Sequence, residues 1–119
     1  MDANEYQKQA LKFAVGLGVE HMAFGLLEEA GEVAGNLKRA YRGDDGYTEY
    51  SDASSLFLSG VLSPMAKAKI ASELGDLAWY MSALAGELGF SFSEILEGNI
   101  AKLTERRARN AIRGSGDER

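Results

Sequence analysis

Apolar positions along this chain recur at helical spacing. Tyr6, Ala10, Phe13 and Leu17 stand at i, i+4, i+7 and i+11, which predicts a first helix starting near Asn4. Two glycines within residues 15–20 mark a break after it. A second helix is predicted from about residue 21 to residue 41, striped by Met22, Leu26, Ala30, Val33, Leu37 and Tyr41. Arg42-Gly43 closes it with a cation in the last turn and a terminal glycine. Ser63-Pro64 reads as the N-cap and first residue of a third helix that runs to about residue 88 and stops at Gly89. Its stripe is Ile70, Leu74, Leu77, Met81, Leu84 and Leu88. Ser91 and Glu94 have the spacing of a capping box ahead of a fourth helix, which carries Phe92, Leu96, Asn99 and Leu103 on one face. No stretch alternates with period two. Four amphipathic helices of similar length predict an all-α fold, a four-helix bundle.

The segments between the helices are uneven. Residues 43–64 open with the turn sequence Asp44-Asp45-Gly46 and include a short apolar run at 56–62. We read them as a long loop between helices 2 and 3 with room for one short helix. A loop of that length in a compact domain is usually functional or mobile. The tail, 111–119, is flexible by its Gly-Ser-Gly composition. The length of 119 residues fits a single domain spanning 1–119, with 1–20 as its N-terminal helix and break.

Composition narrows the chemistry. There is no cysteine and only one histidine, His21, so disulfides, thiolate metal sites, thiol catalysis and a His-rich metal site are excluded. The net charge of −5 argues against nucleic acid and anionic membrane as partners. From Asn99 onward six basic residues face three acidic ones, so residues 1–98 carry −8. No run approaches the ~20 apolar residues needed to span a bilayer, and no leader-like segment opens the chain, so a soluble cytoplasmic protein is expected.

In the acidic stretch a pair of spacings stands out. Helix 2 carries Glu28-Glu29-Ala-Gly-Glu32 and helix 3 carries Glu73-Leu-Gly-Asp76. Carboxylates at i and i+3 share a helix face, and two such pairs on facing helices can hold a hard cation, magnesium above all, through oxygen alone. Either pair by itself says little, because 18 acids in 119 residues place about two or three such pairs by chance. Gly31, Gly35 and Gly75 lie close by, and an interior helical glycine, which costs about 1 kcal/mol, is tolerated where another helix or a ligand comes near. On helix 4, Asn99, Lys102 and Arg106 share one face. Lys102 and Arg106 suit phosphate oxygens, or simply form a solvated basic face. Trp79, Tyr80, Phe24 and Tyr41 read more readily as core than as stacking partners for a base.

These blocks together resemble the MazG-like, all-α nucleoside triphosphate pyrophosphohydrolases. The likeness rests on Glu28-Glu29-x-x-Glu32, on Glu73-x-x-Asp76 followed by Leu-Ala-Trp-Tyr80, and on Asn99-x-x-Lys102-Leu-x-x-Arg106. The ending Gly114-Ser-Gly-Asp-x-Arg119 is similar to that of compact, phage-type, single-domain members. The resemblance implies hydrolysis of a nucleoside triphosphate between the α and β phosphates, giving a monophosphate and pyrophosphate in nucleotide-pool control. It implies magnesium, with manganese as a substitute, on Glu29, Glu32, Glu73 and Asp76. Glu28 or Glu29 would activate the attacking water, and Asn99, Lys102 and Arg106 would lie near the phosphates. It also implies a homodimer or homotetramer. Two features depart from the pattern. The 43–64 loop lengthens the interval between the acidic pairs, and Arg109-Asn110 stands where many relatives read Arg-Gly, which leaves the path of the tail open. The competing reading is a non-catalytic helical interaction module. A di-iron carboxylate bundle is set aside, since it calls for Glu-x-x-His pairs. Base and sugar specificity stay open.

Overall fold

The computed structural model describes residues 1–49, 61–114, 116 and 117. Four α-helices follow in order: α1 (Ala3–Ala10), α2 (Val19–Tyr41), α3 (Pro64–Glu87) and α4 (Phe92–Ala108). No strand occurs among the described residues, and none of their helices is long and apolar enough to cross a membrane. The expected all-α helical bundle is the observed class. The helices differ in length, however, at 8, 23, 24 and 17 residues.

Local chemistry accounts for the boundaries. Asp2 caps α1, accepting from the Glu5 amide at 2.9 Å while Glu5 accepts from the Asp2 amide at 3.1 Å. The helix does not continue along the expected stripe to Leu17. It tightens into a 3-10 turn at Leu11–Phe13, and Phe13 is 77% exposed. Ser63 caps α3, accepting from the Ala66 amide at 3.1 Å, with Pro64 at the first helical position. Ser91 and Glu94 form the expected reciprocal box at the start of α4.

α2 and α3 pack as an antiparallel pair. The register sets Gly25 against Tyr80, Glu29 against Asp76, and Asn36 beside the residues around Lys69. A Cβ on Gly25 would lie 2.1 Å from the Tyr80 ring, so this position needs glycine to admit that ring. Gly31 and Gly75, for which close approach is expected from the sequence, face open space, and Gly35 meets only the end of the Arg39 side chain. The tight contact sits one to two turns away from the acidic spacing beside those glycines.

α1 is fastened at the far end of the pair by one buried side chain. The Gln7 amide donates to the carbonyls of Ser82 (3.0 Å) and Phe90 (3.1 Å) and accepts from the Phe92 amide (3.0 Å). It thereby ties α1 to the end of α3 and the start of α4. The Trp79 indole N–H donates to the Ala10 carbonyl at 3.1 Å, which makes this tryptophan part of the frame. At the opposite end, the feet of the 43–64 segment zip together through Glu49 N–H to Val61 O (2.8 Å) and Ser63 N–H to Tyr47 O (3.0 Å). Ala40, Tyr47, Leu62 and Ala66 form a small core there. The run at 56–62, and the short helix weighed for it, lie mostly outside the described residues.

The predicted apolar stripes are only partly covered. Met22 is fully buried, but Leu74 is 50% exposed, Leu88 55% and Leu96 42%. The largest fully buried side chains among the described residues are Met22 and Ser82. The radius of gyration of 17.5 Å exceeds the ~13–14 Å of a compact domain of this length. α4 packs against α1 and α3.

Candidate metal centre

The antiparallel register brings one acidic pair onto the other. Glu29 from α2 and Glu73 and Asp76 from α3 each offer a carboxylate oxygen, and the three oxygens lie within 4.8 Å of one another. Glu29 and Glu73 are half-buried and Asp76 is exposed, so the cluster opens to solvent on one side. Glu32, expected as a fourth ligand, is exposed one turn along α2 and falls outside this group. Glu28, adjacent to Glu29 in sequence, is exposed.

The electrostatics of the cluster are unrelieved. Partial burial raises the Glu29 carboxyl above its ordinary range, and the negative charges of Asp76, Glu73, Glu28 and Glu32 raise it further. Among the described residues, the charged groups acting on Glu29 are all acids. Three converging carboxylates without nitrogen or sulfur donors are the donor set of a hard divalent cation, and such a cation would remove the repulsion. The residues fit the group that the sequence implies. Asp76 also acts outward, raising the Tyr6 hydroxyl on α1 after the larger effect of burial.

The residues of α4 are arranged differently. Asn99 is exposed. Lys102 and Arg106 are together, as their spacing predicts, but their partner is the chain's own tail. Asp117 accepts from the Lys102 ammonium and from the Arg106 guanidinium, each at 3.0 Å. These contacts hold its carboxyl below the ordinary aspartate range. Gly116 and Asp117, in the described part of the tail, both accept hydrogen bonds from Arg106.

Sequence reading misses a polar group next to the acids. Asn36 is buried, donates to the Glu32 carbonyl at 3.1 Å and accepts from the Tyr47 hydroxyl at 3.4 Å. Lys69 donates to that hydroxyl at 3.3 Å, its ammonium standing 5.2 Å from the Tyr47 ring centre, and Arg39 reaches Asn36 at 3.5 Å. Asn36 is one turn beyond Glu32, and Lys69 one turn before Glu73. That matched spacing on two antiparallel helices is a signal in the sequence. Tyr47 carries none, because it comes from the loop.

Comparison with known proteins identifies a family. A family profile described as "MazG nucleotide pyrophosphohydrolase domain" matches residues 18–110. The Gene 37 protein of Mycobacterium phage L5 is 33% identical over 102 residues, covering 86% of this chain and 77% of its own length. No solved structure matches.

Proposed function

The chain belongs to the MazG nucleotide pyrophosphohydrolase family, and from that premise we propose that it hydrolyses a nucleoside triphosphate between the α and β phosphates. The products are a nucleoside monophosphate and pyrophosphate. The observation that carries this reading is the convergence of Glu29, Glu73 and Asp76 within 4.8 Å, with Glu29 raised by its neighbours.

On this reading Glu29, Glu73 and Asp76 hold magnesium, or manganese in its place, and Glu32 joins them from the next turn. Bound there, the cation neutralises phosphate oxygens and makes a coordinated water more acidic. Glu28 or Glu29 takes the proton from the attacking water. Lys69, one turn along α3 from Glu73, and Lys102 and Arg106 on α4 offset the charge that develops on the phosphates. Asn99 supplies an amide on the same face of α4 as these two cations. A role in nucleotide-pool control follows from these products.

We also propose that the working form is a homodimer or homotetramer. Phe24 is 71% exposed, Leu27 73% and Leu74 50%, too much uncovered apolar surface around one helix pair for a lone chain in water.

The test is release of pyrophosphate and monophosphate from a panel of nucleoside and deoxynucleoside triphosphates, with and without magnesium, beside a Glu73→Gln variant. Magnesium-dependent pyrophosphate release is expected. The variant should lose on the order of 10²–10³ in rate, the scale for removing one electrostatic contact to the transition state. Orthophosphate as the product, or an unimpaired variant, would overturn the assignment. A helical interaction module without activity would give no product from any member of the panel.

A further inference from the structure

The C-terminal tail closes on the cations that the proposed reaction calls for. α4 ends in a Schellman turn in which Ala111 N–H donates to the Arg106 carbonyl at 2.7 Å and Asn110 N–H to the Arg107 carbonyl at 3.1 Å. Asn110 takes the left-handed conformation that this turn needs, with φ of +54°, a position where glycine is the usual residue. The chain comes back along α4 and sets Asp117 over Lys102 and Arg106.

The contact is specific. One carboxylate oxygen is shared by an ammonium and a guanidinium at 3.0 Å each. The same Arg106 nitrogen also donates to the backbone carbonyls of Asp117 (3.1 Å) and Gly116 (3.4 Å). Arg106 is left 3% exposed on a helix whose neighbouring residues are exposed, whereas the Asp117 side chain is 79% exposed. An oxyanion held between a lysine and an arginine is also how a phosphate oxygen is held. With the tail in place, the Asp117 carboxylate occupies that contact.

We propose that Asp117 is an internal competitor for the anion site formed by Lys102 and Arg106, so that a polyphosphate must displace the tail to bind there. The proposal rests on the reading above, in which these two cations meet the phosphates. The carboxylate carries one negative charge and a pyrophosphate several, so the ligand wins the exchange, but at a reduced apparent affinity. The reduction equals the fraction of time the site is open. Asp117 thus sets substrate affinity and can hold the empty enzyme closed against weaker anions such as orthophosphate.

Titration calorimetry with inorganic pyrophosphate tests this on the full chain and on Asp117→Asn. The variant should bind pyrophosphate more tightly, by about tenfold if the tail is closed nine-tenths of the time. Lys102→Ala should abolish the gain. A purely structural tail gives the opposite sign, because losing Asp117 would then disorder Arg106 and weaken binding. Equal or weaker affinity in the variant, or no binding to either protein, overturns the proposal. Hydrogen exchange on the unmodified chain gives a second answer that needs no variant. Pyrophosphate should speed exchange at the described tail residues 111–114, 116 and 117, and unchanged or slowed exchange counts against displacement. The hydrolysis panel is decided separately. Activity without an affinity difference sinks the competitor alone, and an affinity difference without activity sinks the enzyme reading alone.

Discussion

The acid cluster of α2 and α3 and the basic pair of α4 are both like-charged side chains brought together by helical spacing, yet the fold treats them in opposite ways. Glu29, Glu73 and Asp76 converge, and among the described residues the charges acting on Glu29 are all negative. Lys102 and Arg106 converge on a carboxylate from their own chain. The first site keeps an electrostatic cost that a bound cation removes. The second already holds one carboxylate between its two cations, and a ligand must compete for it. Charge of one sign at i and i+3 or i+4 is therefore not enough to mark a binding site. What distinguishes the two is whether the chain supplies its own counter-charge.

Three experiments would sharpen or break that contrast. The largest effect is expected from the metal. Magnesium at about 100 times its dissociation constant should stabilise the protein by about 2.7 kcal/mol through mass action, with chelator reversing the shift in melting temperature. An Asp76→Asn variant should lose most of this response. A flat melting temperature would mean that the acid cluster is only a solvated surface. Next comes a neutral control, Gln7→Ala, which strands a buried Phe92 N–H and two carbonyls. It should cost about 1–3 kcal/mol in urea unfolding. Unlike the acid-cluster variants, it should leave the magnesium increment intact.

The smallest effect comes from relieving repulsion in the metal-free protein. Glu29→Gln should be stabilising there, by about 0.5 kcal/mol, the scale of a like-charge contact. Its pH dependence follows from the raised Glu29 carboxyl. The folded state binds this proton more tightly than the unfolded chain does. Stability is therefore greatest below the ordinary glutamate value and declines as pH rises through the raised one. Thermal melts across that range should show the decline in the metal-free parent and a smaller one in Glu29→Gln. If the variant melts lower than the parent, the cluster is not under repulsion.

Much of the fold is legible in the sequence because its signals are local. The Ser63-Pro64 start, the Ser91–Glu94 box and the Gly43 and Gly89 stops each act within one turn of backbone, so residue type alone places them. The end of α1 is not legible in this way, because Phe13 has the right period but is left 77% exposed where the helix tightens into its 3-10 turn. The close-approach glycine escapes for a similar reason. Gly25 differs from Gly31 and Gly75 only by having Tyr80 across from it. At the site, the pairing of Glu29 with Glu73 and Asp76 is readable as spacing, since antiparallel helices with matched i, i+3 pairs align them. The Tyr47 contribution is not, since a loop residue has no periodicity to betray where it lands.

Interactions within three or four residues set the helices, their caps and the two acidic faces, so the order of amino acids is enough to place them. Composition likewise fixed the chemistry available, through an acid-rich body without cysteine and with a single histidine. Long-range packing settled the rest: that Glu29 joins Glu73 and Asp76 while Glu32 stands outside, that Gln7 fastens three helices, and that Asp117 returns to cover Lys102 and Arg106. Each of those contacts joins residues 11 to 85 positions apart. Their geometry depends on packing angles and chain reversals, which no local preference encodes.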